Sequence, residues 1–505
     1  MPTLRRALPV LRDPAVPSPP EGTDWGGARI AVVTLGCDKN TVDTERILAR
    51  LAAAGAQMEA DVAHAEVVLV NTCGFIDAAK EESVIALLEA VRLKQEGGPR
   101  AVVAMGCLVQ RYGEELRREI PEVDLFVGLT EIERLVPELR ARGLLPAEPP
   151  TMERPLLRVA THRTHTSYLK ISEGCDHSCA FCAIPLMRGK HRSLPIDELV
   201  REARELEAAG VVELNLVSQD TTWYGRDVVR SGMYAVTDGF IGRPFAGMAN
   251  APPRAGESAI ETASRAGLLP ELLRSLLAGT AIPWIRMFYL YPSGIRPELI
   301  ELMAQEPRLL PYLDMPIQHG SDRILEAMRR PERRATILDL TARLRATLPD
   351  VTLRTTVIVG FPGETDDDFD ALLELLEEVR FDRVGAFAYS VEENTRAATL
   401  PERVAPGEIR ERLERLQDVQ RGIALERNER WVGRAVDVLV DRATGRTSML
   451  AGHAAGATAR TCGQAVEIDG VVHLANAAAV KPGQIVRARI TEALEDDLIG
   501  EPVDG

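Results

Sequence analysis

From residue 28 onward, short continuous apolar runs alternate with longer stretches whose apolar residues recur every three or four positions. Residues 28–36 (ARIAVVTLG), 66–71 (EVVLVN), 101–105 (AVVAM) and 124–128 (DLFVG) have strand length and are rich in Val and Ala. Helical patterns at 41–54 and 76–95 separate them. Strands that are apolar throughout, rather than alternating, are buried on both faces, so the pattern predicts a parallel sheet between helical layers over 27–143. Residues 129–165 read as a short helix followed by a Pro/Glu linker (LLPAEPPTMERP).

A second series of strands and helices spans 161–405. Strands are expected at 168–172, 213–218, 284–290, 313–317, 352–359 and 384–389, with helical patterns such as 196–209, 338–346 and 367–379 between them. Six such units predict an open, partial (β/α)6 barrel. Residues 225–267 interrupt it with a Gly/Ala/Pro/Ser/Met-rich stretch of weak periodicity, expected to be a flexible insertion. A charged helix follows over 408–430, and 423–495 turns to short strands with Gly-containing turns, which suits a small OB-like β-barrel. There is no internal repeat beyond this alternation.

The proline-rich residues 1–26 lack the ~7–15 apolar residues of a secretory signal, and no window reaches the ~18 of a membrane span. They read as a disordered tail, or alternatively as sequence upstream of the true start codon, and the expected location is the cytoplasm with no membrane partner. The composition, 45% hydrophobic and 27% charged, is that of an ordinary globular chain. Its net charge of -15 disfavours a general nucleic-acid binder and suits a basic partner. Seven cysteines, an odd number without an export signal, point to metal binding or catalysis rather than to a disulfide framework.

Three of them, Cys175, Cys179 and Cys182, lie within EGCDHSCAFCAIP just after the first strand of the second series. Thiolates so spaced can wrap one face of an iron–sulfur cubane and leave one iron open. A zinc site is the competing reading, with His177 and His191 nearby, but it wants a fourth ligand at regular spacing. Cys37, Cys73 and Cys107 follow the first three strands of the N-terminal sheet. Carboxyl ends of parallel strands share one edge, so these three are expected to converge there. A single buried cysteine is usually core filling; three at equivalent strand ends favour a second cluster, with a redox or zinc site as the alternative. Cys462 has no partner at ligand spacing and reads as a bystander.

The order TLGCDKN, VNTCGF, MGCL and GCDHSCAFC, followed by a terminal β domain, resembles the methylthiotransferases of the radical S-adenosylmethionine (SAM) superfamily over residues 28 to about 495. YLKISEGCDHSCAFCAIPLMRGKHRS, SQDTTWYG, YLYPSGI, YLDMPIQHGSDRILEAMRR and VIVGFPGET are similar to the RimO type, directed at ribosomal protein S-twelve. The resemblance implies an N-terminal methylthiotransferase domain, a radical SAM partial barrel and a TRAM-type terminal barrel. It also implies two [4Fe-4S] clusters, one on Cys175, Cys179 and Cys182 with SAM on its open iron, the other on Cys37, Cys73 and Cys107. Phe181, Gln219, Gly360, Gly363 and Glu364 would contact SAM, while Asp220, beside Gln219, has no assigned role. The implied reaction adds a methylthio group to the β-carbon of an aspartate in that ribosomal protein. It would need an electron donor such as flavodoxin or ferredoxin, and a sulfur donor. The chain departs from the pattern at 225–267 and at 447–461, the latter read as a loop.

The nearest alternative is a tRNA adenosine methylthiotransferase; an alternative of another class is a non-catalytic iron–sulfur or zinc scaffold. Residues 421–505 hold ten Lys/Arg against twelve Asp/Glu, whereas a grip on tRNA is normally basic. No direct tRNA partner is therefore expected.

Overall fold

The computed structural model describes residues 27–149, 157–161, 165–230, 267–450, 453–475, 477 and 479–503. The expectations for 1–26 and for most of the insertion at 225–267 lie outside them; its first flank begins as the short helix Arg226–Arg230. The chain forms two compact units, residues 1–177 with 183–191, and residues 178–182 with 192–505.

In the first unit, β1 (Arg29–Thr34), β2 (Gln57–Met58), β3 (Val67–Thr72), β4 (Ala101–Gly106) and β5 (Leu125–Gly128) form a parallel sheet in the order β2-β1-β3-β4-β5. Successive side chains of a strand point to opposite faces, and here both faces are apolar. Ile30, Val32, Val67, Leu69, Val103 and Met105 pack with Ile47, Leu48 and Leu51 of helix α1 (Asp38–Ala53). Ala31, Val33, Val68, Val70, Val102 and Ala104 pack with Leu87 and Val91 of α2 (Asp77–Gln95) and Leu108 and Leu116 of α3 (Cys107–Glu119). This order places a topological switch point between β1 and β3, where open α/β sheets bind ligands.

In the second unit, five parallel strands stand in the order Arg383–Ala388, Thr352–Val359, Leu309–Asp314, Trp284–Met287, Glu213–Val217. The strand expected to open the series, Thr166–Lys170, also forms and belongs to the first unit. The fourth expected strand is displaced: it runs over Leu309–Asp314 rather than 313–317. Pro311 lies within it, and the pairing with Trp284–Met287 shifts register between Ile285↔Leu309 and Met287↔Leu313, the irregularity a proline imposes. The expected strand's second half leaves the regular ladder but stays against Thr352–Val359: Met315 N–H donates to the Arg354 carbonyl (2.8 Å), and Gln318, at φ 72°, forms an isolated bridge with Val357.

The chain ends in a closed barrel of five strands, Ala435–Leu450, His453–Thr461, Val472–Ala475, Ile485–Ala493 and Leu498–Pro502. Its core is Val438, Val440, Val472, Leu474, Ala488, Ile490 and Leu498. Of residues 447–461, read as a loop, 447–450 and 453–461 belong to its first two strands, which pair at Leu450↔His453. A buried ionic network joins this barrel to the five-stranded sheet. Glu213 pairs with Arg286 (2.9 Å) and Arg460 (2.6 Å), and Arg460 also pairs with Asp441 (2.7 Å). Arg286 donates to the carbonyls of Cys462 and Gln464, and Tyr312 to Asp469. Cys462 thus serves through its backbone.

Candidate active site

Cys37, Cys73 and Cys107 stand immediately beyond β1, β3 and β4, at the carboxyl edge of the first sheet, with Cys37 and Cys73 on either side of the switch point. The turns that deliver them are tight. Gly36 lies at φ 90°, and a Cβ there would sit 2.8 Å from Cys73 Sγ. Ser83 of α2 clamps Cys73, accepting from its N–H (2.9 Å) and donating to its carbonyl (3.0 Å). Asn40 ties the turns together: its Nδ2 donates to the carbonyls of Leu35 (2.8 Å) and Thr72 (3.2 Å), and its backbone carbonyl accepts from Asn71.

Asn40 Oδ1 also accepts from the buried Arg188 (2.6 Å) and lies 3.7 Å from Cys107 Sγ. Arg188 is paired with Asp43 (3.0 Å) and Glu173 (2.9 Å), and Lys170 joins both carboxylates. Against the opposing effect of burial, Lys170 and Arg188 hold the Glu173 carboxyl down at about 2. Burial pushes the Cys107 thiol up to about 12 and raises that of Cys73, with Arg188 pulling both the other way. Such thiols become thiolates when a soft cation compensates their charge. Sulfurs around a single zinc ion lie within about 4 Å of one another; among the described residues no group of three His, Cys, Asp or Glu is gathered to hold one ion.

Cys175 sits in the first unit, its N–H donating to the Gly189 carbonyl (3.0 Å). Gly174 before it lies at φ 74°, and a Cβ there would overlap the Lys190 carbonyl, so only glycine fits. Asp176 accepts from the His191 N–H (3.1 Å). Cys179 and Cys182 sit in the second unit and are joined by a turn, Cys182 N–H to Cys179 carbonyl (3.3 Å). Between them Ala180 is fixed on both sides, its N–H donating to Met328 and its carbonyl accepting from Ala397. Ala180 and Phe181 pack with Phe361, Ile358, Ile324, Met328 and Tyr389. One apolar cluster therefore unites this part of the cysteine loop with the Gly-rich VIVGFPGE segment.

Gly360 and Gly363 both take positive φ (81° and 82°), the conformation that favours glycine. Glu364 is committed to the turn: its carboxylate accepts from Gly360 N–H (2.9 Å) and Arg412 (2.7 Å) and lies 3.3 Å from His319 Nε2. Gln219 follows the strand Glu213–Val217, and both polar atoms of its side-chain amide are buried without a hydrogen-bond partner among the described residues. Asp220 beside it caps the next turn, accepting from Thr222. At Gly360 the space a Cβ would take is filled by Ile409, whereas at Gly363 nothing lies nearer than 3.7 Å. An orphaned amide, an open backbone approach at Gly363 and soft sulfur donors are a donor set that fits a polar cofactor beside an iron–sulfur cluster.

Sequence reasoning did not single out Asn40, Arg188, Tyr291 or Arg330. Tyr291 Oη lies 3.4 Å from Cys179 Sγ, and Arg330 Nη1 lies 3.9 Å from it. Their available signal was membership of the stretches TLGCDKN, PLMRGKH, YLYPSGI and LEAMRR.

Residues 29–128 match the Uncharacterized protein family UPF0004, 169–376 the Radical SAM superfamily, and 432–503 the TRAM domain. The protein is thus a transferase of the radical SAM class, an enzyme of iron–sulfur and SAM chemistry. A ribosomal protein uS12 methylthiotransferase RimO of Anaeromyxobacter sp. (strain K) is 44% identical over 94% of this chain and 93% of its own. Those of Symbiobacterium thermophilum (43%, 94% and 91%) and Geobacter sulfurreducens (39%, 94% and 98%) are similar over the same extent. The chain belongs to the RimO methylthiotransferase family. No helix among the described residues is long and apolar enough to cross a membrane.

Proposed function

We propose that this enzyme adds a methylthio group to the β-carbon of an aspartate in ribosomal protein uS12. The observation that carries the reading is 39–44% identity to uS12 methylthiotransferases over more than nine-tenths of their length. Cys175, Cys179 and Cys182 would hold one [4Fe-4S] cluster with SAM on its open iron, and Cys37, Cys73 and Cys107 a second. Bound there, these groups would supply hydrogen-atom abstraction from an unactivated C–H bond, a methyl group and a sulfur atom.

The protein's own task is then positioning and exclusion of water. The unpaired Gln219 amide would take the polar groups of SAM, and the backbone at Gly363 would approach it closely, while Gly360 packs against Ile409. Phe181 and its apolar neighbours would keep water out. Glu364 would act through Gly360, whose amide it holds. The slightly acidic terminal segment suits a basic ribosomal protein and supports that substrate over tRNA. An electron donor such as flavodoxin or ferredoxin and a separate sulfur donor complete the proposal, and the cytoplasm, where ribosomes work, is its expected location.

The test is anaerobic incubation of the reconstituted enzyme with SAM, reductant, sulfide and either uS12 or tRNA, read by mass spectrometry. A methylthio mass gain on an aspartate of uS12, abolished by Cys179→Ala, is the expected result. A gain on tRNA alone would overturn the substrate.

A further inference from the structure

Cys179 is enclosed by residues from two distant parts of the chain. Tyr291 lies beyond the strand Trp284–Met287, and its hydroxyl is 3.4 Å from Cys179 Sγ. Arg330 follows the helix Asp322–Ala327; its Nη1 is 3.9 Å from the same sulfur, and its guanidinium carbon lies 3.6 Å from the centre of the Tyr291 ring. Both residues are buried. Arg330 is fixed from its other side by the Pro316 carbonyl (2.8 Å) and by Glu332 (3.2 Å), which accepts in turn from Ser293 N–H. The Ala180–Met328 hydrogen bond ties the cysteine loop to the end of the helix that precedes Arg330. A hydroxyl and a buried cation are thus both held against one sulfur.

We infer that Tyr291 and Arg330 are positioning residues that set the reduction potential of the cluster held by Cys179: Tyr291 donates a hydrogen bond to the cysteine sulfur and Arg330 holds that phenol in place. The inference rests on the proposed role of Cys175, Cys179 and Cys182 as cluster ligands. One-electron reduction adds negative charge to a centre bound by thiolates. A donor aimed at a ligand sulfur, in surroundings of low polarity, stabilises the reduced form more than the oxidised one and raises the potential. The flat contact between guanidinium and ring keeps the phenol from rotating off the sulfur. No proton moves: the electron comes from the external reductant and stays on the cluster.

The test uses full-length protein, reconstituted anaerobically, in which Cys37, Cys73 and Cys107 are all changed to Ala so that one cluster remains. Iron content is measured, and the cluster is titrated with dithionite under electron paramagnetic resonance, with and without Tyr291→Phe. The expected result is unchanged iron and a reduced form about tenfold less favoured in the Phe variant, a shift of ~59 mV to more negative potential. An unchanged potential with full iron content would overturn the inference while leaving the ligand assignment intact. Loss of iron in the Phe variant would also overturn it, because Tyr291 would then hold the cluster rather than tune it. If the triple-Ala protein takes up no iron, or keeps its iron after Cys179→Ala, the ligand assignment fails and the inference falls with it.

Discussion

Gly106 leaves β4 at φ 101°, where a Cβ would overlap Asn71 Oδ1 and lie 2.5 Å from the Thr72 carbonyl. The Asn71 side chain and the Thr72 carbonyl are both hydrogen-bonded to Asn40, which ties the cysteine-bearing turns together, so the position has no room for any other residue. Gly106→Ala is expected to destabilise the chain by about 1–3 kcal/mol and to lower iron uptake, both measurable by urea unfolding and iron analysis of the reconstituted protein. Cys37, Cys73 and Cys107 were legible because a change of hydrophobic period marks each strand end, and Cys175, Cys179 and Cys182 because of their mutual spacing. Asn40, Arg188, Tyr291 and Arg330 were not. Arg188 meets Asn40 across 148 residues and Arg330 meets Cys179 across 151, and contacts at that separation leave no local period to read. Glu364 shows the opposite case: its motif was visible, but its commitment to Gly360, His319 and Arg412 is set by tertiary contacts.

Among the elements, the helix Asp366–Val379 begins with a reciprocal cap in which Thr365 and Asp368 each bind the other's backbone N–H. Thr365→Ala should cost about 1 kcal/mol, seen as a lower midpoint in chemical unfolding. Asp368 is the stronger probe. Burial would raise its carboxyl, but hydrogen bonds from Arg323, Ser321 and Thr365 prevail and hold it well below the usual range. A folded-state value below the unfolded ~3.9 contributes stability that is present above that pH and lost as the pH falls through the folded value. Thermal unfolding from pH 6 down to pH 2 should therefore show a smaller acid-induced loss for Asp368→Asn than for the parent; equal losses would remove Asp368 from the acid response. Most elements were readable from periodicity alone. The displaced strand Leu309–Asp314 was not, because Pro311 argues locally against a strand that its two neighbours nevertheless enforce.

For the molecule as a whole, the second unit depends on charges that are buried as a set. Glu213 faces two arginines, Arg286 and Arg460, and all three are almost fully enclosed. Removing one member of such a set leaves an uncompensated charge, so Glu213→Gln is expected to cost about 3–5 kcal/mol, read by thermal and urea unfolding of the full chain. A terminal barrel was legible in the Gly-punctuated short strands of the sequence; its attachment to the sheet was not, since Arg286 meets Gln464 across 178 residues and Tyr312 meets Asp469 across 157. That attachment has a consequence in time. Arg286 leaves the ribosome long before Arg460 does, by roughly 9–35 s at ~5–20 residues per second of synthesis, and Glu213 is earlier still. Throughout that interval Glu213 has only one of its two cations and Arg286 lacks the carbonyls of Cys462 and Gln464, so the nascent sheet can enclose this pair in its native form only after those late residues have been made.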